Sequence, residues 1–161
     1  MMSVEQSQRW AVGDIFIVKL SDGSCSLGQV IDTPIPNTAS CAFVDQRSKD
    51  AALLESVELK LNDVIAAATV VASHLDLGAW RVISRRPVVL PQDQWPNEAT
   101  RCNRWIGSKV YTGAILEDFL NAYYALAPWY GYHDPHFMDN LLISPSKKPK
   151  TLLRKPSPWR A

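Results

Sequence analysis

Gly13-Asp14-Ile15-Phe16-Ile17-Val18-Lys19-Leu20-Ser21-Asp22-Gly23 is the stretch that decides the fold. From Ile15 to Leu20 nearly every residue is an apolar β-former, the pattern of a strand covered on both faces. Asp22-Gly23 then supplies the dipeptide that takes a two-residue hairpin turn most easily, so Cys25 to Ile31 is expected to return as the antiparallel partner. Gly28, inside that second run, marks a bulge or a point of close approach. The run stops at Thr33-Pro34-Ile35-Pro36-Asn37, because proline cannot donate to a ladder. Ser40 to Asp45 reads as a third strand.

Beyond this β-rich start the pattern is mixed. In Asp50 to Leu61, Leu53, Leu54 and Val57 suit a helix face, while Val57, Leu59 and Leu61 alternate as in a strand; only the first half is assigned to helix. Val64 to Ala72 is alanine-rich, which favours helix on propensity, but its length and Val70-Val71 fit a buried strand, which we expect. Leu77-Gly78-Ala79-Trp80 turns into a short strand at Arg81-Val82-Ile83, with Trp80 expected in the core. Pro87 to Pro91 is an extended piece, Gln92 to Asn103 a polar loop, and Trp105-Ile106 a continuation of the sheet.

From Ile115 the period becomes helical. Ile115, Phe119, Ala122 and Leu126 form one stripe, Leu116, Leu120 and Tyr123 lie beside it, and Thr112 or Gly113 is placed to cap it. Asp134-Pro135 is expected to open a second helix, with Asp as N-cap and Pro at the first helical position. Met138, Leu141 and Leu142 give that helix its apolar face, and it stops before Pro145. The expected architecture is α+β: a strongly bent antiparallel β-sheet, SH3-like or half-barrel in its N-terminal part, with two C-terminal helices packed on it. The division is an N-terminal extension (1–11), a single domain (12–143) and a basic, proline-rich tail (144–161) read as a solvated, mobile extension, in which Trp159 is the residue that resists that reading.

The 161 residues suffice for one domain with a core of its own, needing neither metal nor disulfide staples. No apolar run is long enough to span a membrane, and Met1 to Arg9 carries no signal-peptide pattern, so the expected compartment is the cytoplasm. Cys25, Cys41 and Cys102 are odd in number and lack CxxC spacing, which indicates thiols rather than a disulfide framework or a zinc knuckle. Net charge of +1 conceals an asymmetry: residues 144–161 hold six bases and no acid, leaving 11 bases and 16 acids, a net −5, on residues 1–143. An acidic body argues against a nucleic-acid reader, whose basic footprint should lie on the fold itself.

Candidate chemistry is sparse. His133-Asp134-Pro135-His136 has a zinc-compatible spacing, but a helix starting at Pro135 leaves His133 outside it and engages Asp134 in capping, so no metal is expected. Asp14, Asp22, Asp32 and Asp45 fall where turns and strand ends favour Asp, which outweighs a role as paired catalytic acids. There is no Ser-His-Asp set, phosphate-cradling loop or Rossmann pattern, so the chain is read as a non-enzyme without cofactor or small-molecule substrate. Trp129, Tyr130, Tyr132 and His133 cluster between the two helices and are the candidate partner-binding residues; the alternative is that they fold inward as a lid on the helix pair.

Taken in order, Gly13 to Leu20, Asp22-Gly23, Gly28-Gln29-Val30, Leu77 to Ile83 before Pro87-Val88, Leu120 to Tyr124, Pro128-Trp129 and Asp134-Pro135 resemble the immunity protein 26 family of bacterial polymorphic-toxin systems. The likeness covers residues 12 to 143; it departs at Lys19, where the family commonly has Pro, and in the basic tail. It implies a cytoplasmic protein that protects its own cell by binding a cognate toxin domain. The alternative is a small SH3-like β module that binds nucleic acid or a protein as a regulator. The sequence leaves the oligomeric state open.

Overall fold

A computed structural model describes residues 7–153. The decisive stretch forms β1 (Asp14–Lys19), which pairs antiparallel with β2 (Cys25–Asp32), Ile17 facing Leu27. The turn between them differs from expectation. Leu20 N donates to Ser24 O at 2.7 Å and Gly23 N to Leu20 O at 3.1 Å, so three residues, Ser21 to Gly23, close the hairpin. Gly23 alone among them takes a positive φ, +87°, which is the three-residue turn ending in a left-handed glycine. Asp22 acts through its carboxylate instead, accepting from Ser24 N at 3.0 Å and Ser24 Oγ at 2.6 Å.

Four more strands complete the sheet: β3 (Thr38–Ser48), β4 (Val64–Val71), β5 (Arg81–Arg85) and β6 (Val110–Tyr111). Their order is β5-β1-β2-β3-β4-β6, with every pair antiparallel except β4 with β6. The ladder is open, with β5 and β6 at its edges. Trp105-Ile106 is not part of it. Arg104 and Trp105 have φ of +55° and +64°, left-handed positions that an extended strand cannot contain, and pairing begins five residues later at Val110. Beside β6, Ile143 N donates to Ile65 O at 2.8 Å and Leu142 bridges Ala66, so two separate segments share the outer edge of β4.

The sheet is covered on both sides, as the unbroken apolar run of β1 implies. On one face Phe16, Val18, Val30, Cys41, Phe43, Ile65 and Val70 meet α3 (Gly113–Tyr123), α4 (Phe137–Leu141) and the short α2 (Ser73–Asp76). Trp80 is fully buried there, its ring stacked on Phe16 with centroids 5.0 Å apart. Gly28 lies under the Phe16 ring, where an added Cβ would stand 2.5 Å from a ring carbon, so the close approach expected at this glycine is real. On the other face Ile15, Ile17, Leu27, Ile31, Ala42 and Val44 pack under α1 (Ala51–Glu55) and the loop that brings Leu90 and Trp95.

That second cover has little regular structure, and buried polar side chains hold it. Gln29 is completely buried; its amide nitrogen donates to the carbonyls of Arg86 and Pro87, both at 3.0 Å, and its oxygen accepts from Val89 N at 3.0 Å. Pro87 to Pro91 is therefore tied to the sheet by a side chain rather than by a ladder. Ser40 and Thr69 hydroxyls meet at 2.8 Å on neighbouring strands, and Asn97 Nδ2 donates to Thr69 Oγ1 at 2.9 Å while exchanging bonds with the Lys109 backbone.

Both C-terminal helices are shorter than their apolar patterns. The first ends at Tyr123 because Ala125 turns left-handed, φ +59°, with Ala125 N on Ala122 O and Leu126 N on Asn121 O, a Schellman ending without glycine. Leu126 thus reaches the core from beyond the helix. The second begins at Phe137 with His136 as N-cap, not at Pro135. Asp134 accepts from His136 N at 2.8 Å, a turn of its own that precedes the helix and replaces the expected capping.

Candidate interaction surface

The link between α3 and α4 separates the four singled-out residues by depth. Trp129 points inward, 1% exposed, against Phe119, and its indole N–H donates to Asp139 Oδ1 at 3.0 Å. Tyr132 is half-buried, stacked on Phe137 at 4.3 Å, and its hydroxyl donates to Asp118 at 2.7 Å. Tyr130 is 46% exposed and His133 is exposed. The inward alternative therefore holds for Trp129, while Tyr130 and His133 lie on the surface itself.

A rule emerges around this face: aromatic donors meet carboxylates. Tyr123 and Tyr124 hydroxyls both donate to Asp45, at 3.3 and 3.1 Å. Burial, assisted by the adjacent Asp45 charge, pushes the Tyr123 hydroxyl up to about 12 and the more buried Tyr124 hydroxyl higher still. Burial and Asp118 likewise push Tyr132 up to about 12. Asp139 is raised by burial, but hydrogen bonds from Lys148 and Trp129 outweigh this and leave it below the usual carboxylate range. Asp45, Asp118, Asp134 and Asp139 mark the rim of this face.

Residues 144–153 run against this rim. The segment begins with a 3-10 turn, Pro145–Lys147; Lys147 Nζ donates to Asn62 O, and Lys148 Nζ reaches Asp139 Oδ1 at 3.0 Å and the Tyr130 hydroxyl at 2.8 Å. Leu153 bridges Pro128, and Trp129 N donates to Leu153 O at 3.4 Å. The solvated reading of the tail does not describe this part, in which Lys148 finds a carboxylate and a tyrosine hydroxyl on the body and Lys147 a backbone carbonyl. Trp159 lies outside the described residues. Between the segment and the body is a cavity of about 360 Å³ lined by Asp45, Asp63, Tyr123, Lys147 and Lys150 among others.

The other candidates take structural places. Asp14 pairs with Arg85 at 2.7 Å, Asp22 with Arg47 and Asp32 with Arg101, both at 2.5 Å, Arg101 also holding Glu98 at 2.9 Å. Hydrogen bonds from Ser24, with Arg47 beside it, bring Asp22 down to about 2. Cys25 and Cys41 are free and buried in opposite cores, and Cys102 is a free, exposed thiol; burial pushes the Cys41 thiol well up, so it stays protonated. Among the described residues no three His, Cys, Asp or Glu side chains gather as a metal site, and no helix is long and apolar enough to cross a membrane.

Sequence inspection missed Asp139, Asp118 and Lys148. No local pattern marks them, because each acquires its role from a partner brought near by the fold. Compared with known proteins, the chain matches no family model, and neither a curated protein nor a solved structure matches it significantly.

Proposed function

We propose that this chain is an immunity protein that neutralises a cognate bacterial toxin domain in the cytoplasm by covering it, without catalysis of its own. The observation that carries the reading is the rim of the helical face, where Tyr130 and His133 are exposed beside Asp134 and the Asp139–Lys148 pair. Exposed aromatic groups on a charged rim are the usual material of a tight interface, for which about 1,600 Å² of buried surface suffices. Many toxins that act in the cytosol are nucleases with basic clefts, and the body, net −5 over residues 1–143 and −2 over residues 1–153 with the three lysines of the docked segment, meets such a cleft with a weakly complementary potential. The order and spacing of the motifs quoted above support the same family.

Within that reading the sheet is the strongly bent, SH3-like or half-barrel element. Register shifts between Ser26 and Leu27, between Val30 and Asp32 and between Phe43 and Val44 support it, because bulges bend a strand and increase its twist. The same feature favours the second reading, an SH3-like module serving as a regulator. Co-expression with a toxin domain encoded beside it separates the two. Growth rescue with a co-purifying complex, whose association slows at about 0.5 M salt, is expected. Salt-sensitive binding to random nucleic acid with no rescue supports the regulator instead and overturns the proposal.

A further inference from the structure

Lys148 occupies a socket more specific than a surface ion pair. Its ammonium lies 3.0 Å from Asp139 Oδ1 and 2.8 Å from the accepting Tyr130 hydroxyl. It also lies 5.0 Å from the Tyr130 ring centroid and 6.0 Å from that of Trp129. A carboxylate and a phenolic oxygen both bonded to one cation, with the Trp129 ring at the outer edge of cation–π range, is chemistry that favours an ammonium. The socket is preorganised: Trp129 is buried, and its indole N–H holds Asp139 through the same oxygen that meets Lys148.

The occupant is held more loosely than the socket. Lys148 and Asp139 side chains keep 32% and 28% exposure, the range in which an ion pair stabilises little. The backbone of the segment adds the Leu153 bridge to Pro128 and a long 3.4 Å bond from Trp129 N, with Leu152 packed half-buried against the core. Segments tied by few buried contacts open locally at low cost.

We propose that Asp139, Tyr130 and Trp129 form a lysine-binding socket for a protein partner, and that residues 144–153 of this chain fill it in the free state as an intramolecular competitor. The partner inserts a lysine from a basic segment, and the chain's own Lys148 leaves. The chain's Ser-Pro-Ser-Lys-Lys-Pro-Lys segment shows what fits: closely spaced lysines beside Asp139, Asp45 and Asp63. This names a contact for the face invoked above, but the socket stands on its own geometry and is testable without any toxin.

The probe is a fluorescent peptide of sequence 144–153 titrated into the full-length chain, wild type and Lys148→Gln. Lys148→Gln removes the internal ammonium from the socket and should bind the peptide up to about fivefold more tightly than wild type. In the Lys148→Gln background, replacing the peptide's Lys148 by norleucine should abolish that gain, as should Asp139→Asn or the milder Tyr130→Phe. Tyr130 is exposed, so Tyr130→Phe retains the fold, which circular dichroism checks. Equal peptide affinity for wild type and Lys148→Gln, or a norleucine peptide that binds as well as the parent, overturns the proposal. If the socket behaves as described and the toxin co-expression fails, only the immunity reading falls.

Discussion

The two faces of the sheet solve the same burial problem with different materials. The helical face relies on large rings: Phe16, Phe43 and Trp80 contact one another, and Phe119 and Trp129 continue the cluster. The opposite face is covered mainly by loop, and loops carry backbone groups that need partners. There Gln29 and Asn97 bond the loop backbone at residues 86–89 and at Lys109, and Ser40 and Thr69 hold Asn97 to the sheet through their hydroxyls. A face closed by helices can be held by apolar area, whereas a face closed by loops needs polar anchors placed at particular backbone atoms.

Removing a ring from the first face should cost most. Trp80→Ala is expected to destabilise the fold by about 3–5 kcal/mol in urea denaturation, because the cavity under Phe16 cannot collapse. A loss under 1 kcal/mol would mean that the rings are not the basis of this face. Gln29→Ala tests the second material. It leaves the Val89 amide and the Arg86 and Pro87 carbonyls without their side-chain partner, at an expected cost of about 2–3 kcal/mol, with faster proteolysis of the 86–95 loop. Unchanged protease sensitivity would show that this loop is held by something other than the buried amide.

The smallest effect lies on the rim of the helical face, where tyrosines meet carboxylates. Tyr123 and Tyr132, both raised to about 12, hold their protons more tightly folded than unfolded. Their contribution is complete below about pH 10 and is lost as pH climbs through about 12. Phenolate absorbance should therefore show a late step that shrinks in Tyr123→Phe and Tyr132→Phe. Five tyrosines titrating together near 10 would contradict the pairing.

How much was legible follows the same division. Strands β1 to β4, α1 and the amphipathic run of α3 were readable, since alternation and helical period are local consequences of which face is buried. Val64 to Ala72 shows tertiary context overriding propensity: alanines that favour helix sit in a central strand where small side chains fit beneath α4. Two-residue β6 was not readable, because it exists only as a pairing with β4, while Trp105-Ile106, the more strand-like dipeptide, lies in a left-handed turn. In the candidate surface, Tyr130 and His133 were found by composition, but Asp139 and Lys148 were not. Their meeting depends on a tail whose lysines and prolines read locally as solvated chain.

The outer margin of β4 is completed by residues 110–111 and 142–143, roughly 40 and 75 positions downstream. A chain emerging from the ribosome therefore has its central hairpins made while that margin still lacks both partners, a template on which another nascent chain could align. Polypeptides truncated before residue 142 should collect in inclusion bodies even though most of the sheet is already encoded, so that residues 110–111 and 142–143 act as an internal safeguard against self-association.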